Sequence, residues 1–244
     1  MDLLVGLHVG SSLQASYAQA FEGGQVKLFS FGGASSSYDG ERGIAARWPN
    51  LASFLRQNVP EWAPGHRLAL VAFSAGCWAP RAWMRMSENR ELVDALVLLD
   101  GLHSGYGPGL GCDENAIDGV LAFGSEANQQ PTRKGLIVTH TSIVPPGYAS
   151  TTSCAKMVNR QAGAGVLVKG FEGTTAQAHL EQVRQVGPSM VNEFVRPLFR
   201  YGSPVNRDHL PGKQIGQALI GLSLITVAAA TLAERLLDRR QRKR

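Results

Sequence analysis

Cysteine is scarce in this chain of 244 residues, with Cys77, Cys112 and Cys154 alone and no C-x-x-C pair among them, so a cysteine-based metal site is not expected. An odd count leaves at least one thiol free or paired with another chain. Cys112 and Cys154 both fall in loop-like sequence and are able to pair in an oxidising compartment. A secretory leader is not expected either: Met1-Asp2-Leu3-Leu4 has no basic region, and the apolar run after it stops within a few residues. No stretch is polar enough to read as a long disordered region. The formal net charge of +5 is not spread over the chain. Residues 213–244 hold seven basic and two acidic groups, a net of +5, and residues 1–212 hold 17 of each. The body therefore lacks the basic excess that nucleic-acid binding requires.

What is present is an alternation of short apolar runs with helix-like stretches, the pattern of a parallel sheet built from βαβ units. Runs at 3–9, 26–31, 67–73, 95–99, 135–139 and 165–169 read as strands. Helices are expected at about 13–21, 44–57, 74–86, 152–161 and 178–199, with Pro188 kinking or splitting the last. The glycine-rich stretch 103–124 reads as too irregular to be one element. No internal repeat is found. The predicted fold is an α/β three-layer sandwich with a mostly parallel central sheet, occupying residues 1–202.

Within that frame one turn stands out, Ala72-Phe73-Ser74-Ala75-Gly76 between the third strand and a helix. A serine hydroxyl is a poor nucleophile at neutral pH and needs a base within hydrogen-bond reach and donors for the developing oxyanion. A sharp strand-to-helix turn lifts the serine above the sheet and aims the following N–H at the reacting carbonyl. Such a turn needs small residues two before and two after the serine, here Ala72 and Gly76.

These residues resemble the nucleophile elbow of the α/β-hydrolase superfamily, with alanine at the usual first glycine, and the resemblance extends over about residues 3–200. His8-Val9-Gly10-Ser11-Ser12 resembles the family's His-Gly loop, which with Ala75 implies an oxyanion hole from Val9, Gly10, Ser11 and Ala75. His179, after the last strand, stands where the family places its catalytic histidine. The size and layout are similar to compact, cutinase-like members. Ser74 is thus expected as nucleophile and His179 as base, with His140 and His103, which also follow strand ends, as alternatives. The family commonly sets its acid after the strand before the last, here Thr139-His140-Thr141-Ser142, where no carboxylate stands. Asp100, at the end of the strand after the nucleophile, is the expected acid. Glu172 is the alternative, and a Ser–His dyad without an acid is a third arrangement.

The implied activity is hydrolysis of a small-molecule or lipid-like carboxylic ester through an acyl-enzyme, with no metal and no organic cofactor. A non-catalytic protein that keeps the hydrolase fold for binding or assembly is the rival reading, as is one whose tail is the main function. Residues 203–213, with Pro204, Pro211 and Gly212, read as a linker. Residues 214–244 read as a transmembrane or membrane-associated helix: 215–233 are 19 residues without a charge, followed by a basic end. The expected location is membrane-associated.

Overall fold

The computed structural model describes residues 1–30 and 43–202. Six strands form one sheet: β1 (Asp2–Leu7), β2 (Gln25–Phe29), β3 (Arg67–Phe73), β4 (Ala95–Leu99), β5 (Gly135–His140) and β6 (Val166–Gly170). Every pairing is parallel, in the order β2-β1-β3-β4-β5-β6. Parallel sheets are covered on both faces, which explains why the central strands are nearly continuous runs of apolar residues. Side chains alternate between the faces. Leu3, Val5, Leu7, Leu68, Leu70, Leu96, Leu98, Leu136 and Val138 join the core cluster on one face. It is closed by α2 (Ile44–Arg47), α3 (Leu51–Asn58), α4 (Trp78–Trp83), α6 (Glu114–Gln129) and α7 (Thr151–Asn159). The opposite face meets α1 (Gln14–Ala20) and a helical run over 176–201. There Tyr17 donates to the Val183 carbonyl and Leu99 lies against Gly187.

The chain goes outward from β1 to β2 and returns to β3 on the other side of β1. The carboxyl ends of β1 and β3 therefore flank the point where strand order reverses, and such sheets open a crevice there.

Strand bounds lie within two residues of those read from the sequence; the helices differ more. The single helix expected over 44–57 is two, because Pro49 interrupts it and Asn50 caps α3 by accepting from the Ser53 N–H at 3.2 Å. Buried Asn89 fixes that junction, donating to the Pro49 carbonyl and accepting from the Leu51 N–H. The helix expected over 74–86 is a 3-10 turn, Ser74–Cys77, followed by the short α4, and a separate α5 (Ser87–Leu92) follows. The segment 103–124 is not irregular throughout: its second half begins the 16-residue α6, capped by Asp113.

Pro188 neither splits nor ends the last helix. The run continues from α8 (Ala176–Glu181) through α9 (Gly187–Met190) to α10 (Arg196–Tyr201), joined by wide π turns at Gln182–Val186 and Val191–Val195. Each π turn lies just ahead of a proline, Pro188 or Pro197. The wider turn gives the ring room where an α turn would clash, and the Gly187 N–H reaches back to the Gln182 carbonyl. No helix among the described residues is long and apolar enough to cross a membrane. The linker expected over 203–213 and the helix expected over 214–244 lie outside the described residues.

Candidate active site

Three non-glycine residues among those described have positive φ: His8 (59°), Ser74 (52°) and Asp100 (43°). Each follows the last residue of a strand, β1, β3 and β4 respectively, and those strands are adjacent in the sheet. The left-handed region costs an L-residue about 1–2 kcal/mol, and such strain collects where a side chain must be aimed. Here it falls at three adjacent strand ends, all at the carboxyl end of the sheet.

Tight backbone packing makes the turn possible. A Cβ on Gly76 would lie 2.4 Å from the Leu7 carbonyl oxygen, and one on Gly101 2.2 Å from the Ser74 carbonyl oxygen. Glycine at both positions lets the Ser74 turn wedge between the ends of β1 and β4.

His179, on α8, bridges the two side chains. Its Nε2 is 2.8 Å from Ser74 Oγ and its Nδ1 is 2.7 Å from Asp100 Oδ2. The Phe73 ring packs on the imidazole at a centroid distance of 4.6 Å, and the His8 ring stacks on Phe73 at 6.0 Å. Asp100 is 2% exposed and His179 25%, so the carboxylate is enclosed while the imidazole is partly open to solvent.

Burial raises the Asp100 pKa, but hydrogen bonds from His179, from the Thr141 N–H and from the Thr151 and Thr141 hydroxyls outweigh it and hold the group at about 2. The donors lie at 2.8 Å (Thr141 N), 2.7 Å (Thr141 Oγ1) and 2.7 Å (Thr151 Oγ1). An ionised carboxylate only accepts, so Nδ1 of His179 carries the ring proton and Nε2 is left to accept from the Ser74 hydroxyl.

Of the residues named from the sequence, Ser74, His179 and Asp100 come together, and Glu172 stays apart on the exposed loop after β6. His140 is held elsewhere, with Nδ1 3.1 Å from Thr152 Oγ1 and its ring against Gly170. His103 packs edge-on against Tyr148 at 5.0 Å, and burial above all lowers its pKa to about 4.

The four oxyanion positions separate. Val9 gives its N–H to the Phe29 carbonyl at 3.2 Å, extending the β1–β2 ladder one step past the strand ends, so it is not an available donor. Ala75 and Ser11 each stand in the first positions of a 3-10 turn, where an N–H has no carbonyl within the turn to bond. Gly10 is the residue preceding the Ser11–Leu13 turn.

Thr141 and Thr151 were not among the residues singled out from the sequence. Thr141 stands in the segment after β5 that has no carboxylate, and it supplies two donors to Asp100, directly after β4, instead. Among the cysteines, Cys112 and Cys154 form a disulfide and Cys77 is free and buried; Cys154 lies within α7, not in a loop. Among the described residues no cluster of His, Cys, Asp and Glu is arranged to hold a metal ion.

No family model matches the chain, and no curated protein matches its sequence. Among the solved structures similar to the chain are two that share 12% of its residues. One is of a protein assigned as an aryl esterase from Burkholderia cenocepacia, with a TM-score of 0.46 over 81% of this chain and 90% of that one. The other is of a soluble variant of monoglyceride lipase from Saccharomyces cerevisiae in complex with a substrate analogue, with a TM-score of 0.42 over 78% of this chain and 85% of that one. Neither carries any part of the site. The six-stranded all-parallel sheet with helices on both faces gives the chain the α/β three-layer architecture expected from its sequence.

Proposed function

We propose that the chain is a serine hydrolase that cleaves a carboxylic ester through an acyl-enzyme. The observation that carries this reading is the unbroken relay Ser74 Oγ–His179 Nε2, His179 Nδ1–Asp100 Oδ2, at 2.8 and 2.7 Å. Ser74 attacks the ester carbonyl carbon as its hydroxyl proton passes to His179 Nε2. Asp100 keeps the ring in the productive tautomer and stabilises the imidazolium. The carbonyl oxygen, now an oxyanion, is received by the Ala75 N–H and the Gly10–Ser11 loop. Collapse of the adduct breaks the ester C–O bond, and the leaving alkoxide takes the proton from Nε2. A water, deprotonated by His179, then attacks the acyl-serine, releasing the carboxylic acid and restoring the Ser74 hydroxyl.

The substrate we assign is a small-molecule or lipid-like ester, and the uncharged stretch 215–233 with its basic end supports association of the chain with a membrane. A fluorophosphonate probe tests the reading directly. Wild-type protein is expected to be labelled at Ser74 and to lose turnover of a short p-nitrophenyl ester in step with labelling. Ser74→Ala is expected to take no label. Folded wild-type protein that neither labels nor turns over would refute the reading.

A further inference from the structure

Asp100 receives four hydrogen bonds, two at each oxygen. Thr141 Oγ1 and His179 Nδ1 meet Oδ2, while the Thr141 N–H and Thr151 Oγ1 meet Oδ1. The two Thr141 donors come from the residue directly after β5 and are fixed by the sheet. Thr151 is different. It is the first residue of α7, reached only after the loop 141–150, so its position depends on what anchors that helix.

Three anchors converge there. Thr152 donates to the Thr141 carbonyl at 2.7 Å. Ser150 caps the helix, accepting from the Ser153 N–H at 3.2 Å. One turn on from Thr151, Cys154 is joined to Cys112 at the end of the loop that leaves β4. Ser104 Oγ lies in the same knot, 3.2 Å from Cys112 Sγ and 3.4 Å from Cys154 Sγ, and accepts from the Asp113 N–H at 2.9 Å. The Ser104 carbonyl accepts from the Ala149 N–H at 3.0 Å. The disulfide thus ties together both loops beside the acid and the helix that carries Thr151. Cys154, Ser104 and Thr151 are buried, at 0%, 1% and 2% exposure.

We propose that Thr151 is a positioning residue for the reaction, acting through Asp100, and that the Cys112–Cys154 disulfide serves turnover by holding Thr151 against the acid. This rests on the serine-hydrolase reading. Thr151 never touches the ester; it removes rotational freedom from the carboxylate so that Oδ2 stays in line with Nδ1. Hydrogen bonds that orient metal-ligating side chains change activity by about 10–100-fold, and an effect at the lower end of that range is expected here.

The test compares Thr151→Val with Thr151→Ser in the full chain, using a short p-nitrophenyl ester over a range of pH. Valine keeps the volume and removes the hydroxyl; serine restores it. Thr151→Val is expected to lower kcat about tenfold with KM within about twofold. The acidic limb of its kcat/KM profile should move to higher pH, because a carboxylate with one donor fewer is more basic and holds the imidazolium more tightly. Among the described residues, His8, His103 and Cys77, the other ionisable groups whose electrostatics couple to this pair, are unchanged by either substitution. Thr151→Ser should recover both kcat and the limb.

The double variant Cys112→Ala/Cys154→Ala is expected to lower kcat and shift the limb in the same direction. Adding Thr151→Val to it should then lower kcat by less than about twofold more, since coupled groups are not additive. Fluorophosphonate labelling separates the two levels of the argument. Wild type that fails to label defeats the hydrolase reading. Wild type that labels, with kcat and pH limb unchanged in Thr151→Val, defeats the positioning role alone. Unchanged kcat in the cysteine variant defeats the role given to the disulfide, and if that variant loses its cooperative melt the valine–serine comparison decides.

Discussion

Asp100 combines burial with charge, and its energetics follow from the donors around it. Its pKa is held at about 2 against an ordinary value of 3.8, so the folded protein binds fewer protons than the unfolded chain between those values. A depressed carboxylate contributes stability that is present in full above about pH 4 and disappears as the pH falls through 2. At 1.36 kcal/mol per unit this contribution is on the order of 2 kcal/mol. Asp100→Asn is expected to lower turnover by about 10⁴-fold, as loss of the tautomer-fixing carboxylate does in a Ser-His-Asp triad. It should also remove this component of the acid-induced loss of stability, so that the denaturation free energies of wild type and variant, measured from pH 5 to 2, converge towards the acid end. A gap that stays constant over that range would show that Asp100 titrates normally. Ser74 and Asp100 were legible because each directly follows a strand end, a place that a sequence marks clearly, and His179 because it opens the helical run after the last strand. Thr141 and Thr151 were not, since a threonine that donates to a carboxylate is indistinguishable in sequence from one that caps a helix.

At the scale of elements, the strands were legible and the helices less so, for one physical reason. Apolar runs bounded by polar or glycine residues identify buried parallel strands almost by themselves. Helices carry glycine and proline for reasons of packing that a local reading takes for loops. In α6 a Cβ on Gly119 would meet the backbone of Met84 and Arg85 at 2.5 Å. This glycine lets α6 lie directly against the end of α4, and its presence is what made 103–124 look irregular. Gly119→Ala is therefore expected to destabilise the fold by about 1–3 kcal/mol, the usual cost of overpacking, although alanine is the better helix former. Gly105, whose Cβ position is open, is the control: Gly105→Ala should leave the melting temperature nearly unchanged. A Gly119→Ala protein that melts at or above the wild-type temperature would contradict the close approach. The prolines of the 176–201 run make the same point, since π turns cannot be read from local preference.

For the whole molecule, charge and chemistry are segregated. The body, residues 1–212, is electrically balanced, and all of the net +5 belongs to residues 213–244. The proposed membrane association therefore makes a sharp prediction, because the body has no charge excess with which to substitute for the tail. Nineteen uncharged residues in helical form extend about 28 Å, close to the roughly 30 Å hydrocarbon thickness of a bilayer. Basic residues beside an anionic surface add about 1 kcal/mol each. The full chain is expected to sediment with phosphatidylserine-containing vesicles and to remain bound in high salt and alkaline carbonate, as an inserted segment does and a surface-held one does not. A chain ending at residue 212 should stay in the supernatant and hydrolyse a soluble short ester with unchanged kcat, since every residue proposed in the reaction lies between Gly10 and His179. Release of the full chain by salt alone would reduce the tail to an electrostatic tether. Sedimentation of the truncated chain would move the membrane contact onto the body. A truncated chain that stays soluble but loses turnover would mean that the tail contributes to the site itself and not only to its location.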